Sequence, residues 1–344
     1  MRPMGLPVRF LMDRKGRTVA YMTHGRGHPL IFCETGYITH LETLWSHPVN
    51  RRFIEKLAAS QQVVRFDHPG VGMGDPSRAL ESFEDRVANL EDVIAGLSLP
   101  SVDLFGTSQA GPALIAYAAR HPDRVRRMVL FGTFADGTRI AGQATLDALG
   151  LLILSNWGLA SGTLADVWVP DDRDVEGRRF WARLMRSATS PENALAIFHE
   201  TLRTDVRDLL PLVKAPTLVL HRRRDGCIRF DLGVEVAAGI PDARMVPLEG
   251  SAHLYYLGDA DSVMLPALEF LAGDEAMGES GLTSRELEIA ELVAEGLTNA
   301  EIADRLRISR RTADAHLEHI RVKLGFRSRA QIAAWTRTRA TARR

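Results

Sequence analysis

Short apolar runs alternate with helix-like segments through the first 272 residues of the chain. Leu30-Ile31-Phe32-Cys33, Val63-Val64-Arg65-Phe66-Asp67, Val102-Asp103-Leu104-Phe105, Met128-Val129-Leu130-Phe131 and Thr217-Leu218-Val219-Leu220 are partly β-branched and run into Gly, Pro or Asp. Near-continuous apolar runs of this length, separated by helical stretches, predict a mostly parallel sheet covered on both faces. Ala243–Leu248 is a weaker sixth run, and its Pro247 fits only a strand end or an edge strand. Val8–Met22 reads as a hairpin turning at Lys15-Gly16, giving the sheet an antiparallel start. Residues 136–205 break the alternation. They are helical in pattern and rich in large apolar groups, among them Leu149, Leu151, Leu152, Leu154, Trp157, Trp168, Phe180, Trp181 and Met185. This segment is expected to be an inserted helical cap.

The pattern changes again after residue 272. Residues 273–280 are small, acidic and glycine-containing, and read as a linker. Thr283-Ser284-Arg285-Glu286 and Thr298-Asn299-Ala300-Glu301 each have the spacing of a capping box. The first opens a helix carrying Leu287, Ile289, Ala290, Leu292 and Val293 inward and stopping at Gly296. The second opens a short helix with Ile302, Ala303 and Leu306 on one face. Ser309 is placed to cap a third helix, Arg310–Leu324, which Gly325 ends, and Ser328 to start a fourth. A short helix, a tight turn and a longer helix make a helix-turn-helix. The expected organisation is a first domain over 1–272, a linker over 273–280 and a small all-α domain over 281–344.

Composition adds limits. The chain has 344 residues, 45% apolar and 25% charged, which is globular rather than disordered or fibrous. Two cysteines, Cys33 and Cys227, exclude a disulfide scaffold and a cysteine-rich zinc site. No apolar stretch is long enough for a spanning helix, and the start lacks the apolar run of a secretory signal. A reduced, cytoplasmic setting with no cofactor, no metal and no membrane contact is expected. The zero net charge conceals an asymmetry: from Arg305 onward there are 12 Lys and Arg against 2 Asp and Glu. A basic C-terminal end on a neutral chain points to a local polyanion partner, or to a solvated tail.

Leu282-Thr283-Ser284-Arg285-Glu286, Gly296-Leu297-Thr298-Asn299-Ala300-Glu301-Ile302-Ala303, Ile308-Ser309, Thr312, His316, Ile320, Lys323-Leu324-Gly325 and Ser328-Arg329 together resemble the LuxR-type DNA-binding domain over residues 281–335. The resemblance implies a four-helix domain that binds double-stranded DNA, often as a homodimer, with Arg310–Leu324 entering the major groove. Arg310, Arg311, Arg321 and Lys323 can supply phosphate contacts. Thr298, Ser309 and Thr312 can add hydrogen bonds, and His316 is expected to pack or to touch phosphate. The family pattern places base-facing side chains at Asp314, Ala315 and Glu318. Carboxylates accept from cytosine N4 and alanine touches a thymine methyl, while two carboxylates near phosphates weaken non-specific binding.

In the first domain, Gly106-Thr107-Ser108-Gln109-Ala110-Gly111 follows the strand Val102–Phe105 and precedes an apolar helix. A serine on a strand-turn-helix, with small residues two before and two after, has the context of a nucleophile elbow; here the second small residue is Ala110 rather than Gly. An N-cap serine in a parallel α/β sheet is the plainer alternative. Asp225 follows the strand ending at His221, and His253 follows the last strand. A histidine takes a serine proton effectively only when an acid fixes its tautomer, and all three residue types stand at predicted strand ends. The order Ser, Asp, His is that of the α/β-hydrolase family, which residues 8–272 resemble. Asp67-His68-Pro69-Gly70-Val71-Gly72-Met73-Gly74-Asp75 is similar to the family's glycine loop, with Gly74 in place of Ser. Thr35-Gly36-Tyr37 stands where the family carries a His-Gly oxyanion loop. Without the histidine, the backbone N–H groups of Tyr37 and Gln109 are left as the oxyanion donors.

The expected fold is therefore an α/β-hydrolase sheet with a helical cap, followed by a small four-helix helix-turn-helix domain. Two functions fit it. One is a transcription regulator whose hydrolase-like domain senses a small apolar carbonyl compound under the cap, with or without destroying it. The other is a serine hydrolase of esters, thioesters or lactones, with Ser108 as nucleophile, His253 as base and then acid, Asp225 orienting it, and DNA binding as an accessory. A hydrolase fold kept only as a dimerisation scaffold is the bland third reading.

Overall fold

The computed structural model describes residues 7–34, 38–77, 79, 82–170, 174–273, 282, 284–306, 308 and 310–342. The chain divides into two compact units, Met1–Ala260 and Asp261–Arg344. The division falls ahead of the helix Asp261–Ala272, which the sequence reading counts with the first domain.

The first unit is built on eight strands: β1 (Arg9–Met12), β2 (Thr18–His24), β3 (His28–Cys33), β4 (Gln61–Asp67), β5 (Val102–Thr107), β6 (Val125–Phe131), β7 (Thr217–Arg222) and β8 (Ala243–Leu248). Their order across the sheet is β1-β2-β4-β3-β5-β6-β7-β8. β1 and β2 form the antiparallel hairpin, and β2 is also antiparallel to β4; every pair from β4 onward is parallel. The central strands β5 and β7 are buried at every position, as a strand covered on both faces must be. Pro247 is tolerated because β8 lies at the sheet edge, where a missing N–H costs no ladder bond.

The helices that cover the sheet bury one apolar face each. Pro48–Ala58 turns Phe53, Ile54 and Leu57 inward, and Phe83–Gly96 turns Val87, Leu90, Val93 and Ile94. Ala110–Arg120, which carries the chain away from β5, is buried along nearly its whole length. Four helices fall between β6 and β7: Gln143–Ser155, Trp157–Trp168, Val175–Ala188 and Pro191–Arg203. The last three start at side-chain caps, where Asn156, Asp174 and Ser190 accept the N–H groups of Leu159, Gly177 and Asn193 at 2.8–3.2 Å. They form the cap. It is pinned to the sheet domain where the Gly72 N–H donates to the Ala188 carbonyl at 2.7 Å, and where the Trp181 indole donates to the Tyr256 hydroxyl at 2.8 Å.

The second unit contains Asp261–Ala272 and the helices Ser284–Ala294, Asn299–Leu306, Arg310–Leu324 and Arg329–Ala342. Leu282, Ile289, Val293, Ile302, Ala313, Leu317, Ile320 and Ile332 form one buried cluster, flanked by Phe326 and Trp335. The capping box at Thr298 is made: Glu301 N–H donates to the Thr298 hydroxyl at 3.3 Å, and Thr298 N–H to Glu301 Oε2 at 2.7 Å. Among the described residues no helix is long and apolar enough to cross a membrane.

Candidate active site and DNA-binding surface

Ser108 sits on the turn between β5 and the helix Ala110–Arg120, with φ of 54°. That left-handed conformation costs a non-glycine residue about 1–3 kcal/mol and persists only where its surroundings impose it. Here Ser108 N–H donates to the Phe131 carbonyl at 2.9 Å, and its own carbonyl accepts from the Thr133 hydroxyl at 2.6 Å. The small neighbours are required by space. A Cβ on Gly106 would stand 2.5 Å from Leu114, and one on Gly111 2.0 Å from the Thr133 hydroxyl.

The turn presents the Ser108 hydroxyl to His253, whose Nε2 lies 2.8 Å from Oγ. On the other side of the ring, Nδ1 lies 2.9 and 3.1 Å from the two carboxylate oxygens of Asp225. Asp225 is fixed in turn by the N–H groups of Cys227 and Ile228, which donate to Oδ1 at 2.9 and 3.1 Å. So three residues far apart in the chain meet at the C-terminal ends of β5, β7 and β8, all of them buried. Burial disfavours charge on both His253 and Asp225, yet each favours the charged form of the other. The result holds His253 well above the ordinary histidine range, with Cys227 acting in the same sense, and holds Asp225 below the ordinary carboxylate range.

Several supporting residues escape a reading of the sequence. Arg222, at the end of β7, is buried, and its guanidinium donates to the carbonyls of Ala252 at 2.6 Å, Leu254 at 2.9 Å and Leu257 at 2.6 Å. It thereby clamps the loop that carries His253. Burial pulls its pKa down to about 10, so it stays charged at neutral pH. Arg222 belongs to the run Arg222-Arg223-Arg224, and nothing in that run marks which arginine turns inward. His253 N–H donates to the Trp168 carbonyl of the cap at 3.2 Å. The Thr201 hydroxyl of the cap lies 2.6 Å from the Gln109 side-chain oxygen and 2.8 Å from the Ile197 carbonyl. A hydroxyl has one proton, so with the Gln109 amide turned over Thr201 accepts from it and donates to Ile197.

A cavity of about 260 Å³ lies between Ser108 and the cap. Its wall includes Ile38, Phe134, Leu146, Ile153, Trp157, Val167, Trp168, Ile197 and Phe198, with Ser108, Gln109 and Cys227 at one side. Gln109 immediately precedes the first turn of its helix, where N–H groups have no intrahelical acceptor. Tyr37, the second expected oxyanion donor, lies outside the described residues.

In the second unit, the helix Arg310–Leu324 turns Ala313, Leu317 and Ile320 into the cluster. Thr312 and His316 are also buried there. Of the two roles expected for His316, its burial is that of the packing one: it follows Ala313 by three residues and shares its inner face. Thr312, expected to add a hydrogen bond to DNA, lies on that buried side as well. Arg310, Asp314 and Glu318 are exposed. Asp314 accepts from Asn299 Nδ2 at 2.5 Å, Glu318 is paired with Arg321, and Lys323 donates to Glu286 at 2.9 Å. Thr298 donates its hydroxyl to Glu301 at 2.8 Å as part of the cap. Ser309 lies outside the described residues, as do the side chains of Arg311 and Ala315.

With this geometry in view, residues 24–260 match the model of the alpha/beta hydrolase fold, and the chain belongs to that family. Residues 280–336 match the model of the luxR family of bacterial regulatory proteins, so the protein joins a hydrolase-fold domain to a LuxR-type helix-turn-helix domain. Among curated relatives, a 2-hydroxy-6-oxononadienedioate/2-hydroxy-6-oxononatrienedioate hydrolase of Pseudomonas putida is 28% identical over 62% of this chain and 78% of its own length. An AB hydrolase superfamily protein of Bacillus subtilis is 27% identical over 67% of this chain and 86% of its own. Among solved structures, a bromoperoxidase from Bacillus anthracis superposes with a TM-score of 0.69 at 19% identity, over 77% of this chain and 99% of that one. An enol-lactonase from Burkholderia xenovorans gives 0.64 at 22% identity, over 77% and 100%. These two show the fold alone.

Proposed function

We propose that the protein is a DNA-binding transcriptional regulator whose first domain takes up a small apolar carbonyl compound beneath the cap and hydrolyses it. The observation that carries this reading is the apolar cavity between Ser108 and the cap in a chain that also holds a LuxR-type domain. A ligand can alter DNA binding only through a difference in affinity for two states of the protein. A slow hydrolase would end the signal by destroying the ligand. Two recognition helices reading two half-sites call for a homodimer.

The chemistry follows from the contacts. Ser108 Oγ attacks the carbonyl carbon while its proton passes to His253 Nε2, and Asp225 steadies the imidazolium. The carbonyl oxygen gathers charge against the Gln109 N–H, with Tyr37 as the second donor. Collapse of this intermediate breaks the bond to the leaving oxygen, which takes the proton from His253. Water then repeats the sequence on the acyl-serine, releasing the acid. Distances of 2.8 and 2.9 Å along the chain Ser108–His253–Asp225 support the second reading, a serine hydrolase with accessory DNA binding. The dioates named for the Pseudomonas putida relative do not carry over readily. No charged side chain stands among the described residues of the wall to receive a carboxylate.

The test is to react wild type and Ser108→Ala with a fluorophosphonate probe and short-chain p-nitrophenyl esters. Ser108-dependent labelling and turnover are expected. A folded wild type that neither labels nor turns over would reduce the domain to a sensor without chemistry.

A further inference from the structure

Within the cavity wall one polar group is unanswered. Trp157 lines the cavity, and its indole Nε1 is shielded from solvent without an acceptor. An indole nitrogen donates only, so no change of protonation or rotamer of its own proton relieves it. The side-chain oxygen of the preceding residue, Asn156, accepts from the Leu159 N–H at 3.0 Å and not from the indole. Ser108 is committed to His253, and Thr201 to Gln109 and Ile197. Among the described residues of the wall, Trp157 carries the buried side-chain donor left unmatched. A buried donor without a partner is costly, and an acceptor on a molecule in the cavity would offset that cost.

Resting on the reading of this cavity as a ligand site, we propose that Trp157 is a specificity residue, and that the ligand is an uncharged molecule with two separated acceptors. The first is the carbonyl that Ser108 attacks. The second is a neutral oxygen, of a ketone, ether or second ester, that accepts the Trp157 N–H. An oxygen placed there replaces the water it loses on entry. The same oxygen against a wholly apolar wall would be penalised, and a carboxylate would meet one neutral donor and no described cation.

The experiment uses the full-length protein and p-nitrophenyl esters of hexanoate, of 4-oxo- and 5-oxohexanoate, and of glutarate with its free carboxylate. Turnover is measured on wild type, and binding on Ser108→Ala by calorimetry. One oxohexanoate is expected to exceed hexanoate in kcat/KM by about tenfold, with glutarate the poorest. In Trp157→Phe the ratio of oxo ester to hexanoate in kcat/KM should fall to about one, whatever happens to the absolute rates; an oxo advantage that persists would overturn the assignment to Trp157. If hexanoate is preferred to both oxo esters, or glutarate to all, the assignment fails although the cavity remains a ligand site. If no ester binds or reacts, the cavity reading falls and this assignment with it. If Trp157→Phe does not fold, Trp157→His is read in its place, and a wild-type preference for hexanoate over both oxo esters overturns the assignment without any variant.

Discussion

The backbone N–H of His253 donates to the carbonyl oxygen of Trp168, the last residue of a cap helix. The imidazole that faces Ser108 thus hangs on the same element that walls the cavity. One hydrogen bond joins the wall of the cavity to the loop that carries His253.

If that link works as a signal, Ser108→Ala should separate the two properties of the first domain. Ester turnover should fall by about 10⁴- to 10⁶-fold, since removing a nucleophile leaves only binding and oxyanion stabilisation. Ligand binding should survive, and the ligand's effect on DNA affinity should last longer than in wild type. A response that decays at the same rate in both proteins would show that hydrolysis does not end the signal.

The pH dependence follows from the His253–Asp225 pair. His253 is held well above its ordinary value of 6.5, and only the neutral ring can take the Ser108 proton. The kcat/KM for a p-nitrophenyl ester should therefore rise with pH, with its midpoint above 6.5. Asp225→Asn should move that midpoint down and lower the plateau by about 10⁴-fold, as the ring loses its orienting acid. A midpoint below 6.5 in wild type would contradict the ion-paired resting state.

Arg222 should behave as a positioning residue. Arg222→Met leaves the carbonyls of Ala252, Leu254 and Leu257 without this donor. Unsatisfied buried acceptors cost about 1–3 kcal/mol each, and neighbouring effects do not add in full, so a loss of about 3 kcal/mol is expected in denaturant unfolding. Turnover should fall with it, and fluorophosphonate labelling of the folded fraction should slow. Unchanged labelling would mean that the His253 loop holds its place unaided.

On the helix Arg310–Leu324, Glu318→Gln should free Arg321 from its intrahelical partner. Affinity for random DNA should increase, and the dependence of log K on log salt should steepen by about 0.9 if Arg321 then reaches one phosphate. Arg310→Ala should flatten the slope by a similar amount. His316→Ala should lower the melting temperature and leave the slope unchanged, because His316 is buried in the helical cluster. A change of slope in His316→Ala would return that residue to the DNA-facing surface.

The sheet, the hairpin and the positions of Ser108, Asp225 and His253 are legible in the sequence because each is local. Each residue follows an apolar run and precedes a turn, and parallel strands deliver such residues to one edge. What connects them is not local. The ties from Trp168 to His253, from Thr201 to Gln109 and from Arg222 to three loop carbonyls depend on how the cap and loops settle. No periodicity announces them. The choice between packing and DNA contact at Thr312 and His316 turns on another point. A motif comparison assigns positions to a surface, whereas the helical phase set by Ala313, Leu317 and Ile320 decides which way they point. That phase is itself visible in the sequence.

The carboxylates of Asp314 and Glu318, already engaged by Asn299 and Arg321, bear on how such a protein searches a chromosome. If these carboxylates face DNA as the family pattern implies, they repel phosphate and weaken the hold on arbitrary duplex, and a weaker hold shortens each visit. Sliding over long tracts would then give way to brief landings and re-dissociation, and fewer copies would be held idle by the roughly 10⁶–10⁹ competing sites of a genome. Scarce molecules then suffice to occupy a target, provided the target repays the exchange of internal partners for base edges.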